Sequence, residues 1–530
     1  MPAPPAARTH RRDTTIVTTA LRAAIARSRD AETHRDPVYS PLRALGRRQL
    51  TPIDLLGQSL STIAPATGMV FIALWMVTHR PGVGGLLAIA GTTAVVVLVA
   101  LCITQFTRRL AAAGSLYSFV FQGLSARATL TTGAALLLGY LGISISVMSQ
   151  AAQSLLRIAD LLGMHVPGAA PWSVTIGLVA VAVAVITVRG VRFATRAILL
   201  VEACSLVLIV ALMLGTPAGA GTATTELPDA PLSLMPFLAM LTVLSMAGFE
   251  SAAFFGPEAK RPLVTVTRTV LISPVVVGVL FVFAAWAALS GHGAVVVGAY
   301  FDGTASGASV GVVLAVQTGM TCSWLASTLG CAQAGSRLLY SMGVERVLPS
   351  ALARVHDRFR TPHVGVLSFT AAGFAGACLY ASLAGADSGA FDGVVEIGLV
   401  VAYTLVAVAS LRFLHRIGEH TVVTRAAALF VSVLGMGLLG YIAVDGTAHG
   451  VWVVPATLSA VAASGTVWQY VLRRVRPGSL TTIGAFDSVE TGDILPGAGT
   501  LVIGADGRRR ILPDVPHPGD DARPRDGNPG

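Results

Sequence analysis

Charge is what this sequence is short of. Only 12% of its 530 residues are Asp, Glu, Lys or Arg, against roughly 25% in an ordinary soluble protein. Cysteine is scarce too. Cys102, Cys204, Cys322, Cys331 and Cys378 each stand alone in apolar sequence, without metal-type spacing or a disulfide framework, and read as small apolar fillers. Histidines such as His79, His356, His363 and His415 fall mostly between apolar runs and show no ligand spacing. The net charge is +10, but no basic helix is interleaved with aromatics, so nucleic acid is not expected as a partner. Paired metal-ligand motifs, a nucleophile elbow and a phosphate loop are all missing. No enzyme activity, catalytic residue, metal or cofactor is therefore expected. The first fifty residues are polar and Arg-rich, and they lack the apolar core of a cleavable signal peptide.

What the chain has is apolar sequence. Hydrophobic residues make up 54%, and the mean hydropathy is +0.72. Twelve apolar runs lie near 54–78, 83–106, 128–157, 172–188, 193–214, 233–256, 264–289, 309–342, 364–384, 393–412, 425–444 and 451–472. A membrane-spanning helix needs about 20 such residues. The expected fold is an all-α polytopic membrane protein with twelve transmembrane helices, in contact with the lipid bilayer. Basic residues cluster after every second run: Arg108, Arg109 and Arg127; Arg189 and Arg192; Lys260, Arg261 and Arg268; Arg346, Arg354, Arg358 and Arg360; Arg412, Arg416 and Arg425; Arg473, Arg474 and Arg476. The other loops carry mainly Glu226, Asp229, Asp302, Asp387 and Asp445, with Arg80 an exception. The positive-inside rule then places both termini in the cytoplasm of a plasma (inner) membrane. Residues 1–50 form a basic tail, and the tail at 477–530 is rich in Gly, Pro and Asp. A small hairpin around Leu501-Val502-Ile503 and disorder from about Asp514 are expected there.

Two runs are interrupted. The first carries Ala64-Pro65-Ala66-Thr67-Gly68 in its interior. Pro65 removes a backbone donor and clashes with the preceding turn, and Gly68 weakens the helix further. The sixth carries Ser245-Met246-Ala247-Gly248-Phe249-Glu250, with a carboxylate about mid-segment. Charge in hydrocarbon is costly and usually faces a cavity or a route through the protein. Unwound backbone at membrane depth survives only where it lines protein or water. Matched breaks five segments apart indicate two five-helix repeats of inverted topology, at 51–214 and 215–413, with the broken first helices meeting at the bilayer midplane. The helices at 414–476 lie outside the repeat. Half-helix starts offer free N–H groups to a carboxylate, and half-helix ends offer carbonyls to an ammonium or a cation.

The stretch AGFESAAFFGPEAKRP (247–262) resembles the amino acid–polyamine–organocation (APC) superfamily of permeases. A second likeness lies in AGSRLLYSMGVERVLPSALARVHDRFRTPH (334–363), with Gly114-Ser115-Leu116-Tyr117 and Gly190-Val191-Arg192 in support. The resemblance spans about residues 50–475. It implies the LeuT-type 5+5 inverted repeat with discontinuous helices 1 and 6, and transport of an amino acid or amine. Where many relatives have a Gly-Ser-Gly-like break, this chain has Ala64 to Gly68. Where some proton-coupled relatives place a lysine, it has Glu202-Ala203-Cys204, so a lysine standing in for sodium does not carry over.

The residues expected to bind substrate are Ala64, Pro65, Ala66, Thr67, Gly68, Tyr140, Ser245, Gly248 and Phe249. Tyr140 sits where relatives have a site-lining aromatic, and Phe249 reads as a lid or as plain packing. Glu250 is either a gating, proton-linked carboxylate or a structural one bonded to unwound backbone. Glu202 carries a proton or pairs with Arg196. Ser327 and Thr328 fall where sodium-coupled members of the wider fold supply hydroxyls, although such side chains also bond their own helix. Glu258, Lys260 and Arg337 are expected at the cytoplasmic surface as an inner gate. The leading reading is a secondary permease for amino acids, proton-coupled or exchange-type. The alternatives are an amine or polyamine carrier and a non-transporting sensor on the same fold.

Overall fold

The computed structural model describes residue 45, residues 50–164, 170–215, 241–382 and 388–484, and two strands at 500–503 and 509–512. The basic tail at 1–44, the start of the sixth run at 233–240 and the end from 513 lie outside the described residues. The chain divides into two compact units, Ala44–Ser488 and the terminal stretches Met1–Arg43 with Val489–Gly530. In the terminal unit, β1 (Thr500–Ile503) pairs antiparallel with β2 (Arg509–Leu512). This is the hairpin expected around Leu501.

The larger unit is helical throughout. Its long helices are α1 (Pro52–Ile63), α2 (Pro65–His79), α3 (Gly82–Thr107), α5 (Ala126–Leu161), α6 (Ala170–Val188) and α7 (Val191–Gly215), with the short α4 (Leu116–Gly123) between α3 and α5. After residue 241 come α8 (Pro262–Leu289), the short α9 (Gly293–Phe301), α10 (Val310–Val344), α11 (His363–Ser382), α12 (Ser388–Ile417), α13 (Val422–Ala448) and α14 (Val453–Val475). Among the described residues ten helices are long and apolar enough to cross a membrane, α1 and α2 counting together as one. The twelfth run is the 23-residue helix α14, which falls outside those ten. The sixth run is a helical stretch at 241–245, a turn, and a 3-10 helix at Phe249–Glu258.

The exterior is as apolar as the interior. Leu87, Leu178, Leu200, Val207, Val279 and Met436 are all exposed, as a bilayer setting requires. Polar side chains are instead gathered inside: Gln58, Glu202, Glu250, Ser327, Gln333 and Arg337 are buried. With no water to drive helices together, close approach at small residues supplies much of the packing. Gly398 of α12 rests against α5, and a Cβ there would lie 2.6 Å from the Ala135 carbonyl oxygen and 2.8 Å from the Gly139 nitrogen.

Backbone atoms cannot rearrange cheaply, so Gly398→Val should cost about 1–3 kcal/mol of stability. The expected outcome is a lowered melting midpoint of the detergent-purified protein. An unchanged midpoint would mean that α5 and α12 do not cross at Gly398.

Candidate functional site

The first break is one residue long. Thr51 caps α1 in a reciprocal pair with Asp54, and the helix runs to Ile63. A residue before proline is pushed out of the right-handed helical region. Ala64 accordingly adopts a left-handed conformation, φ 55° and ψ 60°. Pro65 then opens α2 at its first position, where a missing N–H costs nothing. Gly68 is not part of the break. It lies in the first turn of α2, with its N–H bonded to Ala64 O at 3.1 Å. Its lack of a side chain makes room for Phe281, whose ring would lie 2.5 Å from a Cβ at that position. Thr67 donates its hydroxyl to Ala64 O at 2.7 Å.

Glu202 of α7 lies at this break. Its Oε1 accepts from the Ala66 N–H at 3.3 Å and from the Ser323 hydroxyl at 3.1 Å. Its Oε2 is buried without a hydrogen-bond partner. Pairing with Arg196 does not occur: that guanidinium is exposed and lies 3.5 Å from Asp54. Glu202 caps a half-helix start, a favourable place for negative charge.

The second break centres on Gly248, at φ 100° in the left-handed region that favours glycine. A Cβ there would also meet Thr62 Cγ2 at 2.5 Å. Ser245 ends the helical stretch before it, half-buried. Glu250 follows in the first turn of the 3-10 helix, fully buried. Tyr140 donates to its Oε1 at 2.8 Å, and Tyr403 of α12 donates to its Oε2 at 3.0 Å. Phe249 is buried with its ring 5.6 Å from that of Tyr403.

The two breaks are tied to each other and to α10. Ser59 donates to Phe249 O at 3.0 Å and accepts from the Ala252 N–H at 3.3 Å. Ser327 donates to Thr62 O at 2.9 Å, and Gln58 Nε2 donates to Gly330 O at 3.0 Å. Thr328 turns back to its own helix, donating to Trp324 O at 2.9 Å. A little farther along, Leu50 forms a parallel backbone bridge with 258–260. Its N–H bonds Glu258 O and its carbonyl accepts from Lys260, both at 3.0 Å.

Four residues matter more here than the sequence suggested. Tyr403 completes the clamp on Glu250. Glu258 and Arg337 are not an exposed gate; only Lys260 of that trio is exposed. Arg337 and Glu258 are both buried and joined in a two-pronged pair at 2.6 and 3.2 Å. The guanidinium also donates to Gln333 O and lies 3.9 Å from the centre of the Phe255 ring. Glu396 of α12 is a further membrane carboxylate, buried with Oε2 unpartnered. Seven residues separate it from Tyr403, so the two share a helix face. The signal for it was available: an ionisable residue inside an apolar run, the same rule that singled out Glu250.

The sequence profile described as amino acid permease matches residues 58–475. The chain belongs to the amino acid permease family. It is similar to a protein of Bacillus subtilis (strain 168) described as a methylthioribose transporter, 25% identical over 349 residues, covering 59% of this chain and 69% of that one. Its fold is similar to that of MHP1, a nucleobase-cation-symport-1 family transporter solved in a closed conformation with bromovinylhydantoin bound. That likeness has a TM-score of 0.51 at 14% identity and covers 83% of this chain and 97% of the other. This permease is thus a multi-pass membrane protein of a transporter family.

Within this permease, the Glu258–Arg337 pair joins the end of the second broken segment to α10. Removing one partner of a buried ion pair leaves an uncompensated charge and costs about 3–5 kcal/mol. Arg337→Met should therefore fold poorly, and the double variant Glu258→Met with Arg337→Met should recover much of the lost thermal stability. A double variant no more stable than the single one would argue against the pair as the cause.

Proposed function

We propose that this permease is a secondary active transporter that moves a small polar organic molecule by alternating access, with a proton as the coupling ion. The observation that carries the reading is the side-by-side placement of two helix breaks, each with a buried carboxylate at its half-helix start. Unwound helices with satisfied polar groups are what a midplane transport site needs.

The full architecture belongs to the proposal. It comprises twelve spans, a LeuT-type 5+5 inverted repeat at 51–214 and 215–413, two further helices at 414–476, and both tails, 1–50 and 477–530, in the cytoplasm of a plasma (inner) membrane. Substrate contacts are proposed for Ala64, Ala66, Thr67, Ser245, Gly248, Phe249 and Tyr140. Glu250 is proposed as the proton-linked gate and Glu202 as its counterpart at the first break. The hydroxyls of Ser327 and Thr328 both donate to protein carbonyls, and no carboxylate is hydrogen-bonded to either. That favours a proton over sodium. The sequence reading favours an amino acid, with an amine as the alternative. The family description supports the first, and the methylthioribose transporter relative widens the range beyond amino acids.

The test is uptake into proteoliposomes of amino acids, polyamines and methylthioribose. It is run with an inward proton gradient, with an inward sodium gradient, and with internal substrate alone. Accumulation driven by the proton gradient is expected. Accumulation driven only by sodium or only by internal substrate would replace the coupling reading. Glu250→Gln keeps an acceptor for one tyrosine and offers an N–H to the hydroxyl oxygen of the other, but cannot exchange a proton. It should retain substrate binding while its uptake loses the acceleration that external acid gives the wild type. Undiminished acceleration in that variant would remove Glu250 from coupling.

A further inference from the structure

Substrate class can be argued from where the polar groups at the two breaks are already committed. This rests on the transport-site reading above. A carboxylate bound at a half-helix start needs N–H groups free to receive it. At the first break, the Ala64 N–H bonds Leu60 O and Ser61 O at 3.1 and 3.2 Å, and Pro65 has none. The Ala66 N–H goes to Glu202, while those of Thr67 and Gly68 both go to Ala64 O at 3.1 Å. Every backbone donor from 64 to 68 is used.

The second break is committed only in part. The N–H groups of Met246, Ala247 and Phe249 bond carbonyls of residues 242–246, and that of Ser251 bonds Gly248 O. The Ala252 N–H goes to Ser59, while those of Gly248 and Glu250 form no backbone hydrogen bond among the described residues. At the first break the protein has placed its own carboxylate where an amino acid's would sit.

What remains unpaired is mostly of the opposite kind. Gln58 Oε1 and Glu202 Oε2 beside the first break are buried acceptors without a donor, joined by the hydroxyl of Ser61; elsewhere Glu396 Oε2 on α12 is a further such acceptor and Gln333 Nε2 on α10 an unpaired donor. Among the described residues, Glu202, Glu250 and Glu396 have no ion-pair partner. The ion pairs formed there are Arg109–Glu419, Arg196–Asp54, Arg337–Glu258 and His449–Asp445. An unsatisfied buried acceptor is costly, and a ligand that brings N–H or O–H groups relieves that cost. A ligand carboxylate at the first break would instead find the backbone donors taken and would add one more buried acceptor.

We infer that this permease selects a small, donor-rich molecule without a carboxylate, either an organic amine or a polyol, and discriminates against free amino acids. Glu202 is the positioning residue for this choice, because it consumes the Ala66 N–H that a substrate carboxylate would otherwise take.

The experiment uses the full chain in lipid nanodiscs for binding and in proteoliposomes for uptake. Matched probes are lysine with cadaverine, ornithine with putrescine, and phenylalanine with phenethylamine, and methylthioribose serves as the polyol. The expected result is that an amine or methylthioribose binds, and that each amino acid binds at least about tenfold more weakly than the preferred probe. Preference among the probes then tells an amine substrate from a polyol. An amino acid that binds as tightly as its decarboxylated partner overturns the inference, and so does folded protein that binds no probe. Selective binding without accumulation sinks the transport reading but leaves the selectivity standing. Accumulation of an amino acid does the reverse. Glu202→Ala frees the Ala66 N–H and should narrow the gap between amino acid and amine about tenfold. Glu202→Gln, which still offers an acceptor to that N–H, should keep the gap. Equal behaviour of the two variants would show that the cap does not set selectivity.

Discussion

A backbone N–H with no acceptor cannot be left in hydrocarbon, and the centre of this permease is organised by that constraint. Two helices are interrupted there, so donors and acceptors are released where water is excluded. The chain answers with side chains from elsewhere. Glu202 comes from α7 and Ser59 from α1, and Tyr140 and Tyr403 converge from α5 and α12 to hold Glu250 in place. Four separate helices are thereby fixed around two short unwound stretches. The packing of the bundle and the chemistry of its centre are one problem with one solution.

The same logic explains the distribution of polarity. The chain has few charges to spend, and several of them are inside. Arg337 satisfies its charge three ways, with a carboxylate, a carbonyl and an aromatic face. Glu250 is held by neutral hydroxyls instead. Glu202 and Glu396 each keep one bare oxygen. These are different electrical environments within one core, and only the Arg337 environment is a closed account.

The breaks were legible in the sequence because their causes are local. Pro65 forbids a helical conformation at Ala64, and Gly248 permits a left-handed one. Segment boundaries were legible to within a few residues because span length is set by the bilayer. Partners were harder, since a hydrogen bond across 110 or 153 residues, as from Glu250 to Tyr140 or Tyr403, leaves no trace in spacing. Arg196 lies six residues from Glu202, and sequence proximity suggested an ion pair. The helix turns Arg196 outward to Asp54 and Glu202 inward. Glu258 and Arg337 looked exposed because they flank charged loops; their burial depends on how α10 meets the end of the second broken segment. Gly68 looked like a helix breaker next to Pro65, but its role is to admit the Phe281 ring.

The backbone bridge between Leu50 and residues 258–260 has a mechanical meaning. It lies outside the membrane-depth breaks and joins the lead-in to α1 with the exit from the second broken segment. Ala64 is the one-residue break between α1 and α2. Any movement of α1 carries Leu50 with it, and Leu50 pulls on Glu258 and Lys260 through two backbone hydrogen bonds. The Glu258 side chain in turn grips Arg337 on α10. The lead-in to α1 and the exit from the second broken segment are therefore held to each other and to α10, and none can shift without straining two backbone hydrogen bonds and a buried ion pair.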